Sequence, residues 1–91
     1  LIEVLSKIGK NQGLDEKDAK SLAVETLIGS AKLLEKSNLD PQTLRHNVTS
    51  PGGTTEAGLE ILASEQYGLY SLLKSTVQSA KKRAEDLNSS D

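Results

Sequence analysis

Apolar side chains cover most of the circumference of one predicted helix, the segment that runs to about Ser37. They are Ala19, Leu22, Ala23, Val24, Leu27, Ile28, Ala31, Leu33 and Leu34. Only a narrow strip with Ser21, Glu25 and Lys32 is polar. A helix that is apolar on most sides needs neighbours on most sides, and a chain of 91 residues has little other material to supply them. We therefore expect a second subunit to cover part of this helix.

Local signals place the boundaries of the first three predicted helices. Apolar residues at helical spacing mark a helix from residue 1 to about residue 11, and Gly13 can adopt the left-handed conformation that ends helices. Asp15 is predicted to cap the long apolar helix through its carboxylate. Asp40 and Pro41 predict the start of a short helix, PQTLRHN, with proline at the first helical position.

Two more helices complete the expected set. The segment TTEAGLEILASEQ keeps the helical period and would be capped by Gly53 or Thr54, and a last helix runs from about Leu69 to Leu87. An aromatic content of 2% favours helices over a sheet-based fold. We therefore predict an all-α bundle of about five helices that forms one domain over residues 1–91.

Charge and composition narrow the possible partners. The net charge is −2 and the longest basic run is KKR, so nucleic acid, which requires a positive face, is not an expected partner. The chain has no cysteine and no apolar run as long as a membrane span, which predicts a cytoplasmic protein without disulfides or membrane contact. His46, the only histidine, is expected to act as a cation at a helix end, and no metal site is expected.

The loop VTSPGGTT departs from the helical pattern and carries the most chemistry. It precedes a helix, whose N-terminus presents unpaired N–H groups. Gly52 and Gly53 allow a ligand to approach the backbone, and Ser50, Thr54 and Thr55 add hydroxyl donors. The combination predicts a receptor for a small anion, either carboxylate or phosphate. An ordinary turn followed by a helix cap accounts for the same residues equally well.

Around this loop the sequence is similar to one enzyme family. VTSPGGTTEAGLEIL resembles the signature of the C-terminal domain of pyrroline-5-carboxylate reductases, and the flanking segments GLDEKDAKSLAVETLIGSAKLLEKS, DPQTLRHN and YSLLKSTVQSAKKRAEDL resemble that domain's helices. The resemblance extends over nearly the whole chain. One difference lies in SEQYGLY, where the family commonly has a pair of glycines and this chain has only Gly68.

The resemblance implies an enzyme of proline biosynthesis that reduces 1-pyrroline-5-carboxylate to L-proline with NADPH or NADH. It also implies that the helical domain builds an interlocked homodimer or a higher homo-oligomer. Thr55 would orient or protonate the ring nitrogen of the substrate, and Asn47 would lie near the cofactor. The residues that would bind the substrate are Ser50, Gly52, Gly53, Thr54 and Thr55.

In this family a Rossmann domain holds most of the cofactor, and it would precede Leu1. The chain opens inside an apolar helical pattern and contains no Met. We therefore expect it to be a fragment with the start of its domain truncated, inactive as a reductase on its own. Two other functions fit the residues: a stand-alone helical dimerisation or interaction module whose loop only turns the chain, and a domain of a related dehydrogenase that acts on another small carboxylic acid.

Overall fold

The fold, taken from a computed structural model, is described for residues 1–89 and is helical in that part of the chain, without strands. This confirms the all-α prediction and its five helices. The chain divides into two compact units, one of residues Leu1–His46 and one that begins at Asn47. The helices are α1 (Ile2–Asn11), α2 (Glu16–Lys36), α3 (Pro41–Asn47), α4 (Thr54–Leu62) and α5 (Leu69–Ser89).

A hydrogen-bonded turn ends α1 and leads directly into α2. Gly13 has a φ of 106°, its N–H donates to the carbonyl of Lys10 at 3.1 Å, and the N–H of Leu14 donates to the carbonyl of Gly9 at 3.0 Å. This pair of bonds is the Schellman arrangement, in which a left-handed residue satisfies the last carbonyls of a helix. The prediction that Gly13 ends the first helix is confirmed.

Small residues allow α1 and α2 to pack closely. A Cβ atom added to Gly9 would lie 3.0 Å from the Cβ atom of Ala19, so no larger residue fits there without movement. Ala19 and Ala23 are exposed by only 2% and 6%, and they are the buried hydrophobic residues of the described chain. The first unit therefore has a core of two alanines, and most of its large apolar side chains lie on the surface.

The two aspartates predicted as helix caps behave differently. Asp15 occupies the N-cap position of α2 and its carbonyl accepts the N–H of Ala19 at 2.8 Å, but its side chain makes no capping bond. The prediction of a carboxylate cap was wrong there, because the carboxylate is exposed and the first N–H groups of a helix can bond water instead. Asp40 is confirmed as a cap: its Oδ1 accepts the N–H of Thr43 at 2.9 Å.

In the second unit α4 ends earlier than the sequence suggests. The predicted helix ran to Gln66, whereas α4 ends at Leu62. Ser64 starts a turn, because its hydroxyl accepts the N–H of Tyr67 at 3.2 Å and its carbonyl accepts the N–H of Gly68 at 2.8 Å. Gly68 is buried, and a Cβ atom on it would collide with the backbone of Ser64 and Leu62. This single glycine therefore makes the turn into α5.

Candidate functional site

The chain between α3 and α4 forms a β-turn over Ser50–Gly53. The N–H of Gly53 donates to the carbonyl of Ser50 at 3.0 Å. Pro51 occupies the second position, and Gly52 occupies the third with a φ of 76°. Proline followed by a residue of positive φ is the pattern of a type II turn. Glycine is favoured at position 52 because residues with a Cβ atom are strained at this φ.

Helix α4 starts directly after the turn. Gly53 is its N-cap residue, with an extended backbone, and its carbonyl accepts the N–H of Ala57 at 3.2 Å. Because glycine has no side chain, no cap group covers the first N–H groups of the helix. The N–H groups of Thr54 and Thr55 have no acceptor within the helix and lie at the positive end of its dipole. They are therefore suited to an anion.

The structure also brings Glu56 to the loop. Its Oε1 accepts the N–H of Gly52 at 3.1 Å, which links the third residue of α4 to the middle of the turn. Glu56 is not among the site residues predicted from the sequence. The signal was an acidic residue at the third helical position, where capping boxes place a side chain that reaches back to the preceding backbone.

Five of the predicted site residues lie together in this turn and the helix start. Gly52 and Gly53 already use their N–H groups, for Glu56 and for the carbonyl of Ser50. The N–H groups of Thr54 and Thr55, which an α-helix leaves unpaired, and the hydroxyls of Ser50, Thr54 and Thr55 are candidate donors for a ligand. Their roles toward a substrate stay predictions.

Asn47 and His46 lie at the last turn of α3, before the loop. His46 thus has the helix-end position expected of a cation that faces the negative end of the dipole. Asn47 is the last residue of α3, and its assignment to a cofactor stays a prediction. Within residues 1–89 no group of three or more acidic, histidine or cysteine side chains is placed to hold a metal ion.

Comparison with known proteins identifies the family. The sequence model described as "Pyrroline-5-carboxylate reductase dimerisation" matches residues 1–87. The chain belongs to this family. This confirms the resemblance noted in the sequence. It also confirms the prediction that the chain is the dimerisation domain of this family.

Full-length relatives of this dimerisation domain carry the enzyme's name. The chain is 36% identical over 88 residues to pyrroline-5-carboxylate reductase 1 of Bacillus subtilis (strain 168), a match that covers 97% of the chain and 29% of that protein. It is 37% identical over 87 residues to pyrroline-5-carboxylate reductase of Synechocystis, covering 96% of the chain and 32% of that protein. The chain therefore spans less than one third of each relative.

A solved structure supports the fold of the dimerisation domain. The crystal structure of Plasmodium falciparum pyrroline carboxylate reductase with NADP bound superposes with a TM-score of 0.61 at 32% sequence identity. The match covers 94% of this chain and 31% of that one. The similarity of fold and the sequence identity of 32% both agree with the family assignment.

Proposed function

We propose that residues 1–91 form the dimerisation and substrate-binding domain of an oxidoreductase that converts 1-pyrroline-5-carboxylate to L-proline. The observation that carries the proposal is the match of residues 1–87 to the reductase's dimerisation family. The loop adds local support, because it presents neutral donors at a helix start and the proposed substrate carries a carboxylate.

In this proposal the substrate carboxylate binds at the start of α4. The N–H groups of Thr54 and Thr55 and the hydroxyl of Ser50 donate hydrogen bonds to it. Each such charge-assisted bond contributes about 1.5 to 3 kcal/mol, and immobilising a free ligand costs several kcal/mol. The loop alone would bind weakly, so other parts of the intact protein have to complete the site.

Thr55 is the candidate catalytic residue. Its side chain is partly buried and lies at the second position of α4, on a residue whose N–H is itself one of the proposed carboxylate donors. Its hydroxyl would orient the ring nitrogen or manage its proton, which assists hydride addition to an imine. A nicotinamide cofactor, NADPH or NADH, would supply the hydride. Asn47 would lie near that cofactor, while most of the cofactor site lies in other parts of the protein.

A second copy of the chain is the proposed partner of α2. Large side chains such as Leu22, Ile28 and Leu33 are exposed on this helix, and the family is named for dimerisation. We propose a homodimer, interlocked or further assembled, located in the cytoplasm and without nucleic acid as a partner. No helix in the described part of the chain has the length and apolar content that crossing a bilayer requires.

The test is turnover by the intact protein. Oxidation of NADPH and of NADH would be measured with 1-pyrroline-5-carboxylate as the substrate, for wild type, Thr55→Ala and Thr76→Ala. Thr76 is a matched control because it lies in a different helix from Thr55 and its hydroxyl bonds the carbonyl of Leu72 within α5. We expect Thr55→Ala to lower kcat by at least about tenfold and Thr76→Ala to leave it unchanged.

Three results would contradict the proposal or part of it. No turnover by the intact wild-type protein with either nucleotide would refute the activity, and turnover only with a different small carboxylic acid would point to a related dehydrogenase. Equal rates for wild type and Thr55→Ala would remove Thr55 from the site.

A further inference from the structure

We propose that Glu56 is a positioning residue that locks the Ser50–Gly53 turn onto α4 and so holds the carboxylate-binding donors in place. The inference rests on the proposed function, since it assigns a role within the same site. It starts from the bond between Glu56 Oε1 and the N–H of Gly52 at 3.1 Å.

The bond acts on the central peptide of the turn, whose rotation would convert a type II turn into a type I turn. Type I and type II turns differ mainly in the orientation of the central peptide, here the one between Pro51 and Gly52. The φ of 76° at Gly52 corresponds to type II. By accepting the N–H of that peptide, Glu56 fixes its orientation and selects one turn type. The hydroxyl of Ser50 and the first N–H groups of α4 then keep a constant relative position.

Among residues 54–56 at the start of α4, Glu56 is the residue whose side chain bonds the turn. In a capping box, the acidic residue at the third helical position bonds the N–H of the N-cap residue. Here the N–H of the N-cap residue Gly53 is already bonded to Ser50, so Glu56 reaches one residue further back. Gly53 has no side chain with which to return a bond. Glu56 is therefore the connection between the turn and α4.

The carboxylate of Glu56 has a second, opposing effect on the site. Its negative charge lies at the same helix start that would receive the substrate carboxylate, and like charges at short distance repel. Hydrogen bonding to Gly52 favours substrate binding, while the charge disfavours it. The two effects can be separated by changing the reach of the side chain and its charge independently.

Three variants of the intact protein separate reach from charge. Glu56→Asp keeps the charge but is one methylene too short for Gly52, whereas Glu56→Gln keeps an acceptor oxygen at the right length without the charge. Glu60→Ala is the matched control: it lies one turn further along α4 and is exposed. KM for 1-pyrroline-5-carboxylate and kcat would be measured for each variant, together with deuterium exchange of the loop amides.

We expect Glu56→Asp to raise KM about fivefold, which corresponds to about 1 kcal/mol, with kcat changed less. Faster deuterium exchange at Gly52 should accompany it. Glu56→Gln should have a KM equal to or below that of wild type, and Glu60→Ala should match wild type.

The inference would be overturned if Glu56→Asp had the same KM as the control Glu60→Ala. It would also be overturned if the KM of Glu56→Gln rose as much as that of Glu56→Asp. Both variants are conservative changes at a partly exposed helix position, so loss of folding is not expected to hide the result. Failure of the proposed function looks different, because the wild-type protein itself would then show no turnover.

Discussion

Replacing Leu22 and Leu33 together by alanine tests whether a second copy covers α2. Both side chains are 54% exposed in the chain. Alanine is the best helix former, so the double variant should keep α2 helical and remove only apolar contact area. The matched control is the double variant Ser21→Ala with Lys32→Ala. Each of these residues directly precedes one of the two leucines and lies on the polar strip of the same helix.

The expected effect on dimer stability follows from the exposed fractions. Full burial of a leucine side chain contributes about 1.5 to 3 kcal/mol, so covering the exposed half contributes about 1 kcal/mol. Two leucines in each of two copies contribute about 4 kcal/mol per dimer. Losing this contribution raises the Kd for dissociation about a thousandfold. The control variant should leave Kd within about threefold of wild type, since changes at exposed surface positions usually alter stability by less than 0.5 kcal/mol.

Sedimentation equilibrium over a range of protein concentrations measures this Kd. Urea unfolding at several concentrations gives a second measurement, because the midpoint of a dimer rises with protein concentration. A wild-type chain that sediments as a folded monomer at micromolar concentration would refute the reasoning at once. Equal dissociation constants for the leucine variant and the polar-strip control would show that another surface forms the dimer.

Four further substitutions test local features of the fold. Gly68→Ala should lower the free energy of unfolding by about 1 to 3 kcal/mol in urea titrations, because its Cβ would meet backbone atoms; Gly58→Ala, inside α4 with open space around it, should raise stability by about 0.5 to 1 kcal/mol. Gly52→Ala should cost about 1 to 2 kcal/mol at its positive φ, measured by thermal unfolding. The N–H bond from Thr43 holds the pKa of Asp40 below its ordinary value. The stabilisation by this cap is therefore fully present at pH values above the ordinary pKa and is lost as the pH falls through the lowered pKa. The amide NMR shift of Thr43 should follow this titration, and Asp40→Ala should abolish it.

Helix positions were predictable where a local signal decides them. Gly13 ends α1 through its own left-handed backbone, and Asp40 with Pro41 starts α3 through a bond between residues three apart in sequence. Such features depend on a few neighbouring residues, so the sequence contains the whole cause. The family signature around the loop was likewise readable, because it consists of consecutive residues.

The end of α4 was not predictable from helical periodicity. The segment after Leu62 contains good helix formers, and its pattern continues to Gln66. The structure instead closes a turn in which Gly68 lies against the backbone of Ser64. Propensity is a weak preference, and tertiary or turn contacts override it. The carboxylate of Asp15 shows the same limit, since the preference for aspartate at an N-cap does not determine whether its side chain bonds the helix or water.

The number of donors in the loop is the clearest case in which residue types alone mislead. Gly52 and Gly53 were expected to let an anion approach the backbone, but their own N–H groups are used within the loop: that of Gly53 bonds the carbonyl of Ser50 and that of Gly52 bonds Glu56. Holding a receptive shape and binding a ligand draw on the same backbone donors. A loop that uses two of these donors to hold its own conformation has fewer donors for a ligand. Because its conformation is already fixed, ligand binding then costs little conformational entropy. The substrate is therefore expected to bind at Thr54 and Thr55, with the glycines supplying the shape and Glu56 holding it.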